Sequence, residues 1–224
     1  MNITEMADSK LHEKVFEQIV NLNKDSKILV LGAGQGAFEK RLLDAGFKNI
    51  VATDINKKNY KLGGVKFIQA DLNKDFSKLG KFDLIIAIEI IEHLNSTDNF
   101  LKNCSRLLNT NGRIIITTPN IHENMSRLSY FFRGYPINFS PNDLRDSGHI
   151  NPILDHIFRD ACKKNKLKIT DKNYNRTFLS EPPVRKSLIL VYPILFLLNG
   201  FITIFGKNKD LMKGVISIYT IKHA

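Results

Sequence analysis

Leu11, Val15, Ile19 and Leu22 recur at three- and four-residue spacing, which predicts an amphipathic helix over residues 8–22. "NKDS" breaks it and the period shortens. "KILVL" is a compact apolar run leading through "GAGQG" into a helix with Phe38, Leu42 and Ala45 on one face. "NIVATD" predicts a second strand, "VKFIQADL" a third and "KFDLIIAIE" a fourth, the last a continuous apolar run suited to burial on both faces of a parallel sheet. Ser96 or Thr97 caps a helix carrying Phe100, Cys104, Leu107 and Leu108, which "NTNG" closes before a fifth strand, "GRIIITTPN".

Strand and helix alternate over 120 residues, so the fold class is α/β, with an open, doubly wound, Rossmann-like sheet. Further on, "HENMSRLSYFFRG" reads as helix and "GYPINFSPNDLRDSG" as loop. "NPILDHIFRDACKKN" reads as a helix with Asn151 as N-cap and Pro152 at its first position. "LKITDKNYNRTFLS" and "GVISIYTIKH" predict strands six and seven. Between them lies an apolar insertion, residues 184–208. The whole chain, 1–224, is expected to be one domain: a cofactor-binding core over about 8–120, a cap segment over about 121–150, and that insertion.

Composition narrows the partners. At 43% hydrophobic and 25% charged residues the chain is globular rather than disordered. Cys104 and Cys162 lack disulfide or metal spacing, and no secretory signal opens the chain, so a cytoplasmic setting is expected. Charge is uneven: residues 1–158 hold 20 Lys and Arg against 18 Asp and Glu, whereas residues 159–224 hold 13 against 4. Cations bracket the uncharged run 187–206, "SLILVYPILFLLNGFITIFG". Strands six and seven in one sheet would bring both ends of this run to the same side, which argues against a membrane crossing. Two readings stand: an interfacial hairpin at the inner face of the cytoplasmic membrane, or a buried lid or dimer contact. A basic groove with interleaved aromatics is only faint, around Lys172, Tyr174, Arg176 and Phe178, so nucleic acid ranks below lipid or glycan.

Gly32, Gly34 and Gly36 open a helix directly after a strand, as nucleotide-binding turns do, although a tight turn needs glycine even without a ligand. Asp54 ends the second strand, where a carboxylate accepts from both ribose hydroxyls; capping of "DINKK" is the plainer alternative. Asp71 ends the third strand in the same way.

The order "VLGAGQG", "ATDIN", "QADL", "FDLIIAIEIIEHL", "LLNTNGRIIITTPN" resembles the class I S-adenosylmethionine-dependent methyltransferases, most closely the small-molecule branch with ubiquinone-biosynthesis O-methyltransferases. That resemblance implies a seven-stranded, mostly parallel sheet with an antiparallel last strand. It implies that Gly32, Ala33, Gly34 and Gly36 line the methionine part of S-adenosylmethionine. Asp54 and Ile55 would then meet the ribose, Asp71 and Leu72 the adenine, and Ile88 and Glu89 the wall beside the sulfonium.

Glu89, Glu92 and His93 interrupt the apolar run "IIAIEIIEHL" at i, i+3 and i+4. On a helical turn they would share one face beside the methyl donor. Three uses compete. His93 can act as general base on an acceptor hydroxyl, oriented by Glu92. Glu89, Glu92, His93 and a further histidine can instead bind Mg²⁺, Mn²⁺ or Zn²⁺; by resemblance that histidine is His149, or failing it His122. Or Glu92 and His93 only cap or pair at a helix start. His156 reads as a plain helix residue.

The expected function is O-methylation of a small-molecule, lipid-linked or glycan acceptor. RNA terminal-ribose 2′-O-methylation is the enzymatic alternative, and a cofactor-binding module without chemistry is the other. A nicotinamide oxidoreductase fits the residues after strand four less well.

Overall fold

The computed structural model describes residues 3–8, 10–176, 197, 200, 201, 204 and 214–224. The strands are β1 (Lys27–Leu31), β2 (Asn49–Asp54), β3 (Lys66–Gln69), β4 (Phe82–Ile88), β5 (Leu108–Pro119), β6 (Leu167–Tyr174) and β7 (Ile216–His223). They form one sheet in the order β3-β2-β1-β4-β5-β7-β6. Neighbours pair in parallel except at β7, which runs antiparallel to both β5 and β6. The mixed sheet with an antiparallel final strand is therefore as expected.

Alternation along the central strands sorts the core into two layers. Leu29, Leu31, Ile85, Ala87, Ile114 and Ile116 face one cluster, which α3 (Thr97–Leu107) and α6 (Asp155–Lys164) complete through Phe100, Leu101 and Phe158. Ile28, Val30, Leu84, Ile86 and Ile115 face the other, closed by Leu11 and Val15 of α1 (Leu11–Glu17) and by Phe38 and Leu42 of α2 (Ala37–Asp44). Helices on both faces explain why β4 has no polar alternation: either side of it meets hydrocarbon. Cys104 and Cys162 are free and buried.

The order of strands positions the site. The chain builds outward from β1 to β3 and then returns to β4 on the other side of β1. A crevice opens at this reversal, at the carboxyl ends of β1 and β4.

Three local expectations are corrected. "NTNG" does not close α3, because β5 begins at Leu108, which pairs with Phe82 ahead of a bulge. Asn109 Nδ2 donates to Asp83 Oδ1 at 2.6 Å, holding the segment to the sheet. Asn151 does not cap α6, which starts at Asp155 behind Leu154. Its amide is drawn off to the carbonyl of Leu94 at 3.2 Å and to Thr97 Oγ1 at 3.1 Å. The stretch 135–148 is not all loop. It contains α5 (Pro141–Asp146), with a capping box between Ser140 and Asp143 and proline in its first turn. The segment "HENMSRLSYFFRG" does form a helix, α4 (Asn124–Arg133). Most of the apolar insertion lies outside the described residues. Of it, Leu197, Gly200, Phe201 and Ile204 are helical, and Leu197, Phe201 and Ile204 are exposed. No helix among the described residues is long and apolar enough to cross a membrane.

Candidate active site

A cleft of about 770 Å³ lies at the carboxyl ends of β1, β2 and β4. The glycine turn forms its floor, residues 4–8 cover one side, and the segment from Asn138 to His149 closes the far end. Gly32 and Gly34 both take left-handed backbone, with φ of 72° and 55°. A side chain at position 32 would overlap Ile90. At position 34 the surroundings are open, and the N–H donates to Asp54 Oδ2 at 2.9 Å. The other oxygen of Asp54 accepts from Asn56 N–H at 2.9 Å, so the carboxylate both borders the cleft and fastens the loop after β2.

Among the expected cofactor positions, Gly32, Ala33, Gly34, Asp54, Ile88 and Glu89 line this cleft. Gly36 is the N-cap of α2. Ile55, Asp71 and Leu72 lie beyond the lining. Ile55 is exposed, Leu72 packs into the core, and Asp71 Oδ1 accepts from Asn73 N–H at 3.0 Å.

The turn after β4 departs from a helical face. Glu89 has φ 51°, its N–H donates to Thr117 Oγ1 at 3.0 Å, and its Oε2 accepts from Asp8 N–H at 3.0 Å. Only Ile91–His93 then forms a short 3₁₀ turn. With a left-handed residue between strand and turn, the i, i+3, i+4 relation of an α-helix does not apply. Glu89 is thereby tied to the chain's first residues, while Glu92 and His93 meet His149.

Glu92, His93 and His149 each place one ligand-capable atom so that all three lie within 4.8 Å of one another. Glu89 is not part of this cluster. His122 is elsewhere, its Nε2 accepting from Asp155 N–H at 3.2 Å, and His156 is exposed on α6.

Glu92 is fully buried, and neither of its oxygens has a hydrogen-bond partner among the described residues. Burial, with Glu89 nearby, raises its pKa well above the usual carboxylate range. Its backbone carbonyl accepts from the N–H groups of Ile150 and Asn151, at 3.0 and 2.9 Å, which bolts the cap segment to the turn. His93 Nδ1 lies 3.2 Å from the carbonyl of Gly148, and His149 Nδ1 lies 2.7 Å from that of Asn138. A carbonyl only accepts, so each Nδ1 is the donor in these contacts, and in a neutral ring the lone pair then falls on Nε2. Burial and the neighbouring His149 lower the pKa of His93, favouring the neutral ring.

The cleft also recruits groups that the sequence pattern did not mark: Asp8, His12, Glu39, Asn138 and Asp146. His12 Nδ1, both Glu39 oxygens and the Tyr60 hydroxyl are buried without hydrogen-bond partners among the described residues. Glu39 follows Gly36 by three positions, and that spacing was the available signal.

A family model described as "Methyltransferase domain" matches residues 5–171. The chain belongs to this methyltransferase family. The ubiquinone biosynthesis O-methyltransferase of Pelagibacter ubique is 32% identical over 105 residues, which is 43% of this chain and 43% of that protein. That of Rickettsia conorii is 29% identical over 167 residues, 67% of this chain and 57% of its own length. The methyltransferase thus spans about half the length of the curated relatives it matches. In fold it is similar to a SAM-dependent methyltransferase from Archaeoglobus fulgidus (TM-score 0.66, 15% identity, 96% of this chain and 93% of that one). It is likewise similar to one from Mesorhizobium loti (TM-score 0.58, 12% identity, 95% and 98%).

Proposed function

We propose that this chain transfers a methyl group from S-adenosylmethionine to a hydroxyl oxygen of a small, lipid- or glycan-related acceptor. The observation that carries the reading is the Glu92–His93–His149 cluster, which stands at the end of a cleft floored by the glycine turn. The cleft fits the donor: its floor is open at Gly34, Asp54 borders it, and the buried Glu39 oxygens and His12 Nδ1 have no hydrogen-bond partners among the described residues. Relatives named for ubiquinone O-methylation support oxygen as the methylated atom.

The cluster also fits a divalent cation. One buried carboxylate without a hydrogen-bond partner among the described residues and two imidazoles oriented through Nδ1 form a donor set suited to Zn²⁺ or Mn²⁺, and Mg²⁺ less so. Such an ion, when bound, supplies Lewis acidity that lowers the pKa of an acceptor hydroxyl. Glu92, His93 and His149 would hold it, while the backbone carbonyls of Gly148 and Asn138 orient the two rings. Without an ion, His93 is left as the group that takes the hydroxyl proton.

An apolar acceptor is supported by exposed side chains. Tyr130, Phe131 and Phe132 stand out from α4, and Leu197, Phe201 and Ile204 repeat at four- and three-residue spacing. With the bracketing cations, these suit an anionic lipid surface or a lipid-linked substrate. The test is incubation of the purified chain with labelled donor and separate lipid, glycan and RNA extracts. Label in lipid or glycan hydroxyls supports the reading. Label confined to RNA 3′ ends transfers the site to ribose chemistry, and no label with cofactor bound leaves a module without chemistry. Activity that survives exhaustive chelation removes the ion and keeps His93 as base.

A further inference from the structure

Among the described residues, a buried acid stands in the cleft without a counter-charge. Glu39 lies in the first turn of α2, is fully buried, borders the cleft, and has two oxygens with no hydrogen-bond partner among the described residues. The titratable groups around it do not supply a cation. Asp54 on β2 is acidic, and the Tyr60 hydroxyl is itself unpartnered. His12 on α1 is neutral, because burial and Arg41 lower its pKa to about 4. Arg41, on the same helix as Glu39, lies 3.8 Å from Glu5. Asp8, Asp54, Glu89 and Asp146 also line the cleft, but no lysine or arginine does so among the described residues, in a chain with 33 Lys and Arg against 22 Asp and Glu. A carboxylate isolated in this way is costly to ionise until a cation arrives.

We propose that Glu39 is a further cofactor-binding residue, whose carboxylate pairs with the α-ammonium group of the methyl donor; the inference rests on the methyl-donor reading of the cleft. The resemblance lays the methionine part along the glycine turn, and α2 begins where that turn ends. Of the donor's groups there, only the ammonium combines full positive charge with N–H donors, so it can satisfy both orphaned oxygens. The sulfonium is charged but has no hydrogen to donate, and the ribose hydroxyls already have Asp54. Burial, with Asp54 nearby, holds the unliganded Glu39 carboxyl up at about 8, so at neutral pH it carries a proton. Pairing expels that proton to solvent as the ion pair forms.

The test is calorimetry on the full chain at pH 7 with two probes. S-adenosylhomocysteine carries the ammonium; 5′-methylthioadenosine lacks the amino-acid part. Glu39→Gln is expected to weaken S-adenosylhomocysteine roughly 10- to 100-fold, the range of a charge-assisted hydrogen bond, and to leave 5′-methylthioadenosine within about twofold. Titrations in two buffers of different ionisation heat should show clearly more proton release for the wild type than for the variant. Burial also raises the pKa of Glu89, which lines the same cleft, to about 7, so the Glu39 proton is read as the difference between the two chains. Equal losses on both probes, unchanged S-adenosylhomocysteine affinity, or equal proton release from the two chains would overturn the assignment. A wild-type chain that takes up neither probe overturns instead the methyl-donor reading on which it rests.

Discussion

The rings of His93 and His149 meet edge-on, with centroids 4.8 Å apart, although 55 residues separate them in the chain. Each is fixed by a backbone carbonyl from the cap segment, Gly148 for His93 and Asn138 for His149. The segment from Asn138 to His149 therefore does more than line the cleft: it supplies one imidazole and orients both rings. Asn138 holds its carbonyl in place from a left-handed conformation, φ 69°, which asparagine tolerates better than most residues.

His149→Ala should remove one cluster member while leaving the glycine turn untouched. Methyl transfer is expected to fall by about 10²-fold or more, the scale on which base or metal assistance acts. Affinity for S-adenosylhomocysteine should change by less than about threefold. Turnover with labelled donor and calorimetry check the two halves separately. A variant as active as the wild type would confine His149 to packing against Phe139, whose ring lies 5.6 Å away.

Gly32→Ala combines two penalties, a left-handed backbone and overlap with Ile90. The expected cost is about 1–3 kcal/mol, with loss of cofactor binding. Adding Ile90→Ala relieves the overlap but not the backbone strain, so it should restore only part of the stability. Urea denaturation of the single and double variants measures both contributions.

These sites differ in how far the residue pattern revealed them. Strands β1, β2 and β4 were legible because buried parallel strands must be apolar throughout, and "GAGQG" because few backbones other than glycine's accept two left-handed turns so close together. Asn151 misled because its amide, an ordinary helix cap by local rules, is claimed by Leu94 and Thr97 from another part of the chain. Ser140 and Asp143 did spell a capping box, but a proline and several turn formers obscured it. The separation of Glu89 from Glu92 was not legible at all: it depends on Thr117 and Asp8, 28 and 81 residues distant. Glu39 was legible only as a first-turn acid three residues after Gly36, since helical spacing does not disclose that it will be buried beside Asp54 and Tyr60.

Asp155 predicts a pH limb of stability. It accepts from Lys172 Nζ at 2.9 Å, Arg159 Nε at 2.7 Å and Tyr219 Oη at 2.9 Å. Burial acts to raise its pKa, but these three donors prevail and lower it from 3.8 to about 2. A depressed carboxylate contributes stability that is fully present above its unfolded value, near 4, and is lost as pH falls towards 2. Lys172 moves the opposite way for a paired ammonium: burial outweighs the pair and lowers its pKa. The pair's net worth is therefore less than the shift of Asp155 alone suggests, about 1–2 kcal/mol. Asp155→Asn should flatten the acid limb between pH 4 and 2, as read from chemical denaturation at stepped pH.

Asp8 ties the first residues of the chain across the cleft, and this makes cofactor exchange a matter of its contacts. Its N–H donates to Glu89 Oε2, and its carboxylate accepts from Arg176 Nε and Nη2, both at 2.9 Å, and from Asn175 Nδ2 at 2.7 Å. A two-pronged guanidinium contact, largely shielded from water, is stronger than an exposed ion pair. Asp8→Asn keeps the shape and the N–H but removes the charge. It should loosen residues 3–8 and raise the dissociation rate of S-adenosylhomocysteine about 3- to 10-fold, with little change in association. Stopped-flow displacement measures that rate. If residues 4–8 only decorate the cleft, the rate will not move, and the cover over the cofactor must come from the cap segment alone.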